Sequence, residues 1–451
     1  MFLKRPGDML RPPLSPPGCG RGNLILERAV MHLALGIFLV TYILLLAFSK
    51  YRSYIAAASA ILFVLLGILP LAQVVGSIDW NVLLMIGGTM GTVALFIESG
   101  MPALMADVIM DHMPNIKWAA VALSLFAGII SAFVDNVATV LMVAPVAMAL
   151  CKKLKVNPVP IIIAIAVSSN LQGAATLVGD TTSILLGNYA GMTFLDFFFF
   201  RGRPGIFWAV EIGAVASACV LLFYFRHENQ TVSAGSRTVV KDYAPTILLC
   251  GTVALLILAS FLPHRPALTN GVICMSLAIL GFLRKAVQTR SAAPFGQLVR
   301  EIDWQTLLLL ASLFVIIGGI ENAGVIDAIS QLFVRLAGDN LFLIYSLIVW
   351  ASVLFSAFID NIPYVATMLP VVQGISGLMG VEPYLLYFGL LVGATLGGNL
   401  TPIGASANIT GIGILRKAGY TVTNRDFMRI GLPFSIIAVL TGYILIWVVW
   451  H

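Results

Sequence analysis

The side chains best suited to handle an ion are two Asp-Asn pairs, Asp135-Asn136 and Asp360-Asn361, each set in the middle of an apolar stretch, 117–150 and 341–380. A carboxylate beside an amide offers a cation both charge and neutral oxygen, and an ionisable group at membrane depth is costly enough to be functional by default. Capping of a buried helix N-terminus is the other role open to both aspartates, and the two roles are compatible. Two polar segments accompany the pairs. Residues 168–183 hold Asn170, Thr176 and Asp180 among glycines, and residues 395–408 hold Thr395, Asn399, Thr401, Ser406 and Asn408 with Pro402, which removes a helix hydrogen bond. Unwound carbonyls ligate cations, and exposed helix N-termini attract anions. No nucleophile–base pair, His-Glu-x-x-His run or paired-carboxylate motif points to an enzyme. The cysteines, Cys19, Cys151, Cys219, Cys250 and Cys274, lie far apart, so neither a disulfide framework nor a metal centre is indicated. A coupling Na+ or H+ is the sole helper this chemistry calls for.

The elements that carry these groups follow from composition. Of 451 residues 59% are apolar, while 26 Lys or Arg and 20 Asp or Glu make about 10% charged, against roughly 25% in a soluble domain. The chain therefore reads as an all-α polytopic membrane protein with the lipid bilayer as its solvent, which excludes a nucleic-acid-binding module. Apolar windows give about ten crossings, near 32–48, 54–75, 81–98, 160–190, 206–225, 244–262, 267–283, 304–321, 384–415 and 431–450, with 160–190 and 384–415 interrupted. The stretches 117–150 and 341–380 read as two re-entrant hairpins, tolerable at depth only when buried in protein or lining a cavity. With this assignment 17 Lys or Arg fall on the side reached after the first crossing and 4 on the other. The first side is thus the cytoplasm. A bacterial-type plasma membrane is the expected location.

Residues 1–30 carry five basic side chains and the run Pro12-Pro13-Leu14-Ser15-Pro16-Pro17-Gly18, a composition expected to be disordered. Their charge would lie outside, against the rule, which favours an over-long gene start and a working start at Met31. The remaining organisation is a first repeat with the first helix over 31–226, a cytoplasmic linker over 227–242 and a second repeat over 243–451.

The repeat is visible residue by residue. Ile78-Asp79-Trp80 recurs as Ile302-Asp303-Trp304, Phe133-Val134-Asp135-Asn136 as Phe358-Ile359-Asp360-Asn361, and Leu171-x-Gly173-x-x-Thr176-x-x-Gly179 as Leu396-x-Gly398-x-x-Thr401-x-x-Gly404, at offsets of 224 or 225. Five crossings, an odd number, separate Asp79 from Asp303, so the two repeats are inverted. Inverted repeats with matching broken helices are the architecture of secondary transporters, with the site near the midplane. Asp79 and Asp303 precede Trp at span starts, where interface anchoring is the favoured role. Glu98 and Glu321 stand at helix ends, solvated, capping or ion-linked. Glu211 is expected to make a polar contact between helices, and His112, His227 and His264 are assigned nothing.

At these motifs the sequence resembles the ion transporter superfamily, in its arsenite permease and melanocyte P protein branch with a citrate transporter-like domain, related to the sodium-coupled divalent-anion symporters. The segments Ser131–Thr139, Phe358–Pro363 and Gly397–Asn408 look like that branch's hairpin tips and second break, and the resemblance spans roughly residues 35–450. It implies a scaffold region, a mobile transport region with elevator-like alternating access, and a homodimer. It also implies substrate and ion ligands at the tips, Asp135, Asn136 and Thr139 with Asp360 and Asn361, and sodium at Asp135, Asn136, Asp360 and Asn361. Two departures stand out. Asp135 and Asp360 replace a serine, adding negative charge where a dicarboxylate would bind, and Asp180-Thr181-Thr182-Ser183 replaces Asp-Pro-Pro-Asn. Arsenite, a monovalent anion, a carboxylate and sodium/proton exchange all stay open. The expected function is a secondary active transporter for a small inorganic or organic ion, driven by sodium or protons, with a passive channel on the same fold as the alternative.

Overall fold

Among the described residues the chain forms twenty α-helices, and helix n of the first ten matches helix n+10. A computed structural model describes residues 21–232, 238–240, 242–263, 265–338 and 340–451. The first ten are α1 (Arg21–Ala47), α2 (Arg52–Leu65), α3 (Leu71–Ser77), α4 (Trp80–Glu98), α5 (Met101–Asp111), α6 (Ile116–Ser131), α7 (Asn136–Leu154), α8 (Val159–Gln172), α9 (Thr181–Tyr189) and α10 (Ile206–Tyr224). Their counterparts are α11 (Ala244–Ser260), α12 (Thr269–Thr289), α13 (Ala293–Glu301), α14 (Trp304–Asn322), α15 (Val325–Ala337), α16 (Leu341–Ser356), α17 (Asn361–Met379), α18 (Tyr384–Gly397), α19 (Ser406–Lys417) and α20 (Asn424–Trp450). A two-residue antiparallel ribbon, β1 (Phe199–Phe200) with β2 (Arg203–Pro204), interrupts the first half after α9.

Packing obeys the same correspondence. Helix α4 lies on α12 and α2 on α14; α7 meets α19 and α17 meets α9; α6 packs on α8 and α16 on α18; α10 meets its own counterpart α20. Such reciprocity is what a two-fold relation between inverted halves requires. Eight of the described helices are long and apolar enough to cross a membrane: Glu27–Ala47 of α1, and α4, α7, α10, α12, α14, α17 and α20. Several shorter apolar helices are the arms of hairpins or of broken helices. Outward faces carry large apolar side chains such as Val215, Phe223 and Ile247, suited to lipid.

The structure departs from the sequence expectation in two places here. The span expected at 54–75 is divided, because Gly67 adopts a left-handed φ of 70° and Pro70 starts a new helix, α3. The last ten residues of the segment expected to be disordered are helical, since from Asn23 to Leu35 the chain has neither Pro nor Gly and runs straight into the first span. Residues 1–20, with their Pro-rich run, and His264 lie outside the described residues. At the end of the linker, Asp242 forks with Arg284 at 2.5 and 3.1 Å, which holds its carboxyl below the ordinary range.

Both hairpins form where expected. The chain turns between α6 and α7 through residues 132–135, and between α16 and α17 through 357–360. Pro145 and Pro370 stand at matched places inside α7 and α17. Each broken helix stops in one tight turn, Gly173–Ala175 or Gly398–Leu400. It then passes an extended threonine, Thr176 or Thr401, before α9 or α19 begins.

Candidate functional site

Each hairpin tip is pinned to its own broken helix by the same devices. The Thr176 hydroxyl donates to the Ala132 carbonyl, and the Thr401 hydroxyl to that of Ala357. Gly179 and Gly404 let the break lie against the tip. A Cβ at 179 would stand 2.5 Å from the Gly173 oxygen and 2.7 Å from that of Ala132; one at 404 would stand 2.5 Å from the Gly398 oxygen and 2.8 Å from that of Ala357. Ser183 Oγ donates to Gly173 O at 3.3 Å, and Asn408 Nδ2 to Gly398 O at 3.2 Å. The repeated Gly-x-x-Thr-x-x-Gly spacing is therefore structural: the hydroxyl holds the tip and the glycine admits it.

Buried amides join the two broken helices to each other. Asn170 Nδ2 donates to Thr395 O at 2.8 Å and to Asn399 Oδ1 at 3.0 Å, and Asn399 Nδ2 donates to Val167 O at 2.8 Å. Asn136, from the first tip, donates to Asn170 Oδ1 at 3.0 Å. A bonded polar network in a low-dielectric interior fixes one arrangement strongly.

The two aspartates do cap helices. Asp135 Oδ2 accepts from Val137 N at 3.0 Å and Ala138 N at 3.2 Å, starting α7. Asp360 Oδ1 accepts from Ile362 N at 3.2 Å, starting α17, and its Oδ2 accepts from Ser406 Oγ at 3.1 Å and from the Arg52 guanidinium. Asp180 caps α9, accepting from Thr181 N at 2.7 Å and Thr182 Oγ1 at 3.0 Å. All three also face one cavity of about 600 Å³.

Asn136, Asn170, Asn361 and Ser406 line that cavity with them. Thr139, Thr176, Thr395, Asn399, Thr401 and Asn408 are not in its lining and sit in the seams instead, Thr139 with its hydroxyl 3.5 Å from Val134 O. The sequence missed Lys50, Arg52, Glu301 and Asp303, which line the cavity as well. The lining thus includes five carboxylates, Asp135, Asp180, Glu301, Asp303 and Asp360, against the two bases Lys50 and Arg52. Among the described residues no three His, Cys, Asp or Glu gather to chelate a metal, so these are separate single charges.

Two aspartates acquire a further role and one expectation needs correcting. Asp303 is a helix cap at the cavity rim, accepting from Gln305 N at 3.0 Å, Thr306 N at 3.1 Å and Thr306 Oγ1 at 2.7 Å. Asp79 likewise caps α4 through Val82 N at 3.1 Å and accepts from the Asn188 amide. An Asp ahead of a helical run is an N-cap signal, which the neighbouring Trp obscured. Glu211 makes no hydrogen bond or ion pair among the described residues, where a polar contact between helices was expected. Glu98 pairs with Lys285 at 2.5 Å.

The sequence profile of the citrate transporter family, CitMHS, matches residues 42–393. The chain belongs to that family. An uncharacterised transporter of Mycobacterium tuberculosis is 31% identical over 437 residues, covering 92% of this chain and 97% of the relative. The human P protein is 28% identical over 452 residues, covering 82% of this chain and 54% of the relative, so the chain spans about half its length. The YdaH transporter of Alcanivorax borkumensis shares the fold, with a TM-score of 0.57 over 83% of this chain and 87% of that one at 15% identity. This member of the citrate transporter family is therefore a multi-pass membrane transporter and not an enzyme. Its hairpin tips and helix breaks meet at an acidic cavity.

Proposed function

We propose that the protein is a secondary active transporter that moves a small inorganic or organic ion through the cavity between the hairpin tips, coupled to sodium or protons. One observation carries the reading. Asp135 faces the cavity with Oδ1 free of any hydrogen bond from the described residues, while only Oδ2 caps its helix. A half-bonded carboxylate at membrane depth is a cation ligand or a proton carrier. The excess of carboxylates in the lining supports cation entry first, and an anion follows only once that charge is offset.

Access from one side supports alternating access over a passive channel. The exposed Lys50, Glu301 and Asp303 form the rim, on the side that the charge count assigns to the cytoplasm. On the far side Asn188 bridges Asp79 and Asn81. The expected assembly is a homodimer, which cross-linking of the purified chain checks. The test of function is a proteoliposome screen of citrate, succinate, arsenite and sodium under separately imposed sodium and proton gradients. One solute should accumulate uphill under one gradient, and Asp135→Asn should abolish that accumulation. Flux that only ever runs downhill would leave the channel instead.

A further inference from the structure

Asp360 is fully engaged in this conformation. Arg52, in the first turn of α2, ion-pairs with its Oδ2, while Ser406 and the Ile362 amide take the remaining contacts. Among the described residues no counterpart of Arg52 stands over Asp135. The helix matching α2 is α12, where the repeat offset puts Ser276 or Leu277 in the place of Arg52, neither of them basic. The pair also links separate parts of the fold, since α2 packs along α14 whereas Asp360 starts the outgoing arm of the second hairpin. The side chains of Arg52 and Asp360 are 28% and 16% exposed to the cavity, so water and ions reach the contact.

We infer that Arg52 is a tethered cation that competes with the coupling cation for Asp360, so that the second tip takes up its ion only when Arg52 lets go. This rests on the ion-coupled reading above. A guanidinium satisfies the carboxylate with the same unit charge that a sodium ion or proton brings. A half-solvated pair lies between an exposed one, which contributes little, and a buried one, which is costly to break. Displacement frees Arg52 from Asp360 in a cavity that already holds Lys50, with Asp303 the other carboxylate that attracts it. Cation binding at Asp360 thus frees a fork of N–H donors that an oxyanion can engage once the cation is bound. The charged groups that share the cavity with Asp360 are Arg52, Lys50, Asp135, Asp180, Glu301 and Asp303.

The test uses the full chain purified in detergent. Thermal unfolding is followed while sodium chloride replaces choline chloride at constant ionic strength, and again across a pH series at fixed sodium. If Arg52 holds Asp360 about nine-tenths of the time, Arg52→Gln reaches half-stabilisation at about tenfold lower sodium. With the proton as coupling ion, its midpoint lies about one pH unit higher. Arg52→Lys shifts the same way by a smaller factor, and Arg52→Gln in an Asp360→Asn background shifts nothing. A merely structural pair lowers stability at every sodium concentration and leaves the midpoints unmoved, which overturns the inference. If Arg52→Gln does not fold, an unmoved midpoint in Arg52→Lys overturns it equally. A wild type that responds to neither sodium nor pH overturns the ion-coupled reading itself, and the inference with it.

Discussion

Asp135 and Asp360 stand 225 residues apart at matched positions, and each caps the helix leaving its hairpin, yet their carboxylates keep different company. Among the described residues the first keeps one oxygen free of hydrogen bonds; the second is held by Arg52 and Ser406. The devices that shape the tips, a threonine hydroxyl and a glycine, repeat in both halves. The charges around them do not. Asp180 is matched by Ala405, and Arg52 is matched by nothing basic, so the first tip is acidic and the second is neutralised. Two-fold symmetry extends to what holds the tips and stops at the charges around them.

The largest expected effect tests the symmetric part. Gly179→Ala and Gly404→Ala each drive a methyl into three backbone carbonyls that cannot swing away. Both should cost about 3 kcal/mol or more and sharply reduce folded protein in the membrane, to similar extents. A tolerated change at 404 beside a ruinous one at 179 would show that the two tips are not built alike.

Neutralising the tips tests the asymmetric part, with a smaller effect on folding. Asp135→Asn keeps a good N-cap, so folded protein should stay near wild type while ion-driven uptake is lost. Asp360→Asn leaves Arg52 facing an amide, and should lose uptake together with about 1–3 kcal/mol of stability in thermal unfolding. Equal stability losses in the two variants would remove the distinction. The inverted repeat read from sequence alone implies comparable loss of transport in the two variants, and the structure adds a difference in their stability.

The hairpins and broken helices were legible because polar groups interrupt apolar runs twice at one offset, a pattern that chance packing kinks do not make. Which polar groups face the cavity was not. A helix break has no period, so nothing in the spacing separates Asn170, which reaches the cavity, from Thr176 and Thr401, whose hydroxyls are spent on the tips. Arg52 was invisible for another reason. It lies 308 residues from Asp360 and has no repeat partner, so from sequence it counts only as a loop charge. The division of α2 from α3, by contrast, rests on Gly67 and Pro70 and was within reach of local reading.

The smallest expected effect concerns the other repeated motif, Ile-Asp-Trp. Asp79 is tied into a closed seam: Asn188 donates to it, Asn81 Nδ2 donates to Asn188 Oδ1 at 2.7 Å, and Gly271 N donates to Asn81 Oδ1 at 2.8 Å. Asp303 stands exposed at the cavity rim, and the residue matching Asn188 is Gly413, which has no side chain to offer. The seam therefore joins α4, α9 and α12 with groups the matching position at Asp303 lacks, and under the proposed alternating access it is the seal on the far side. Asn188→Ala removes the bridge without touching the cap that Asp79 makes to Val82, a loss of about 1 kcal/mol. That energy converts to about a fivefold gain in the population open on the sealed side. A cysteine at the buried Ile184, one turn from Asn188 on α9, reads this in a background freed of native cysteines. Its labelling by an impermeant thiol reagent added opposite the cavity rim should quicken by about that factor. An unchanged rate would mean that the Asp79 cluster is only a helix cap, and that the sealed side is closed by packing along α9 and α17 alone.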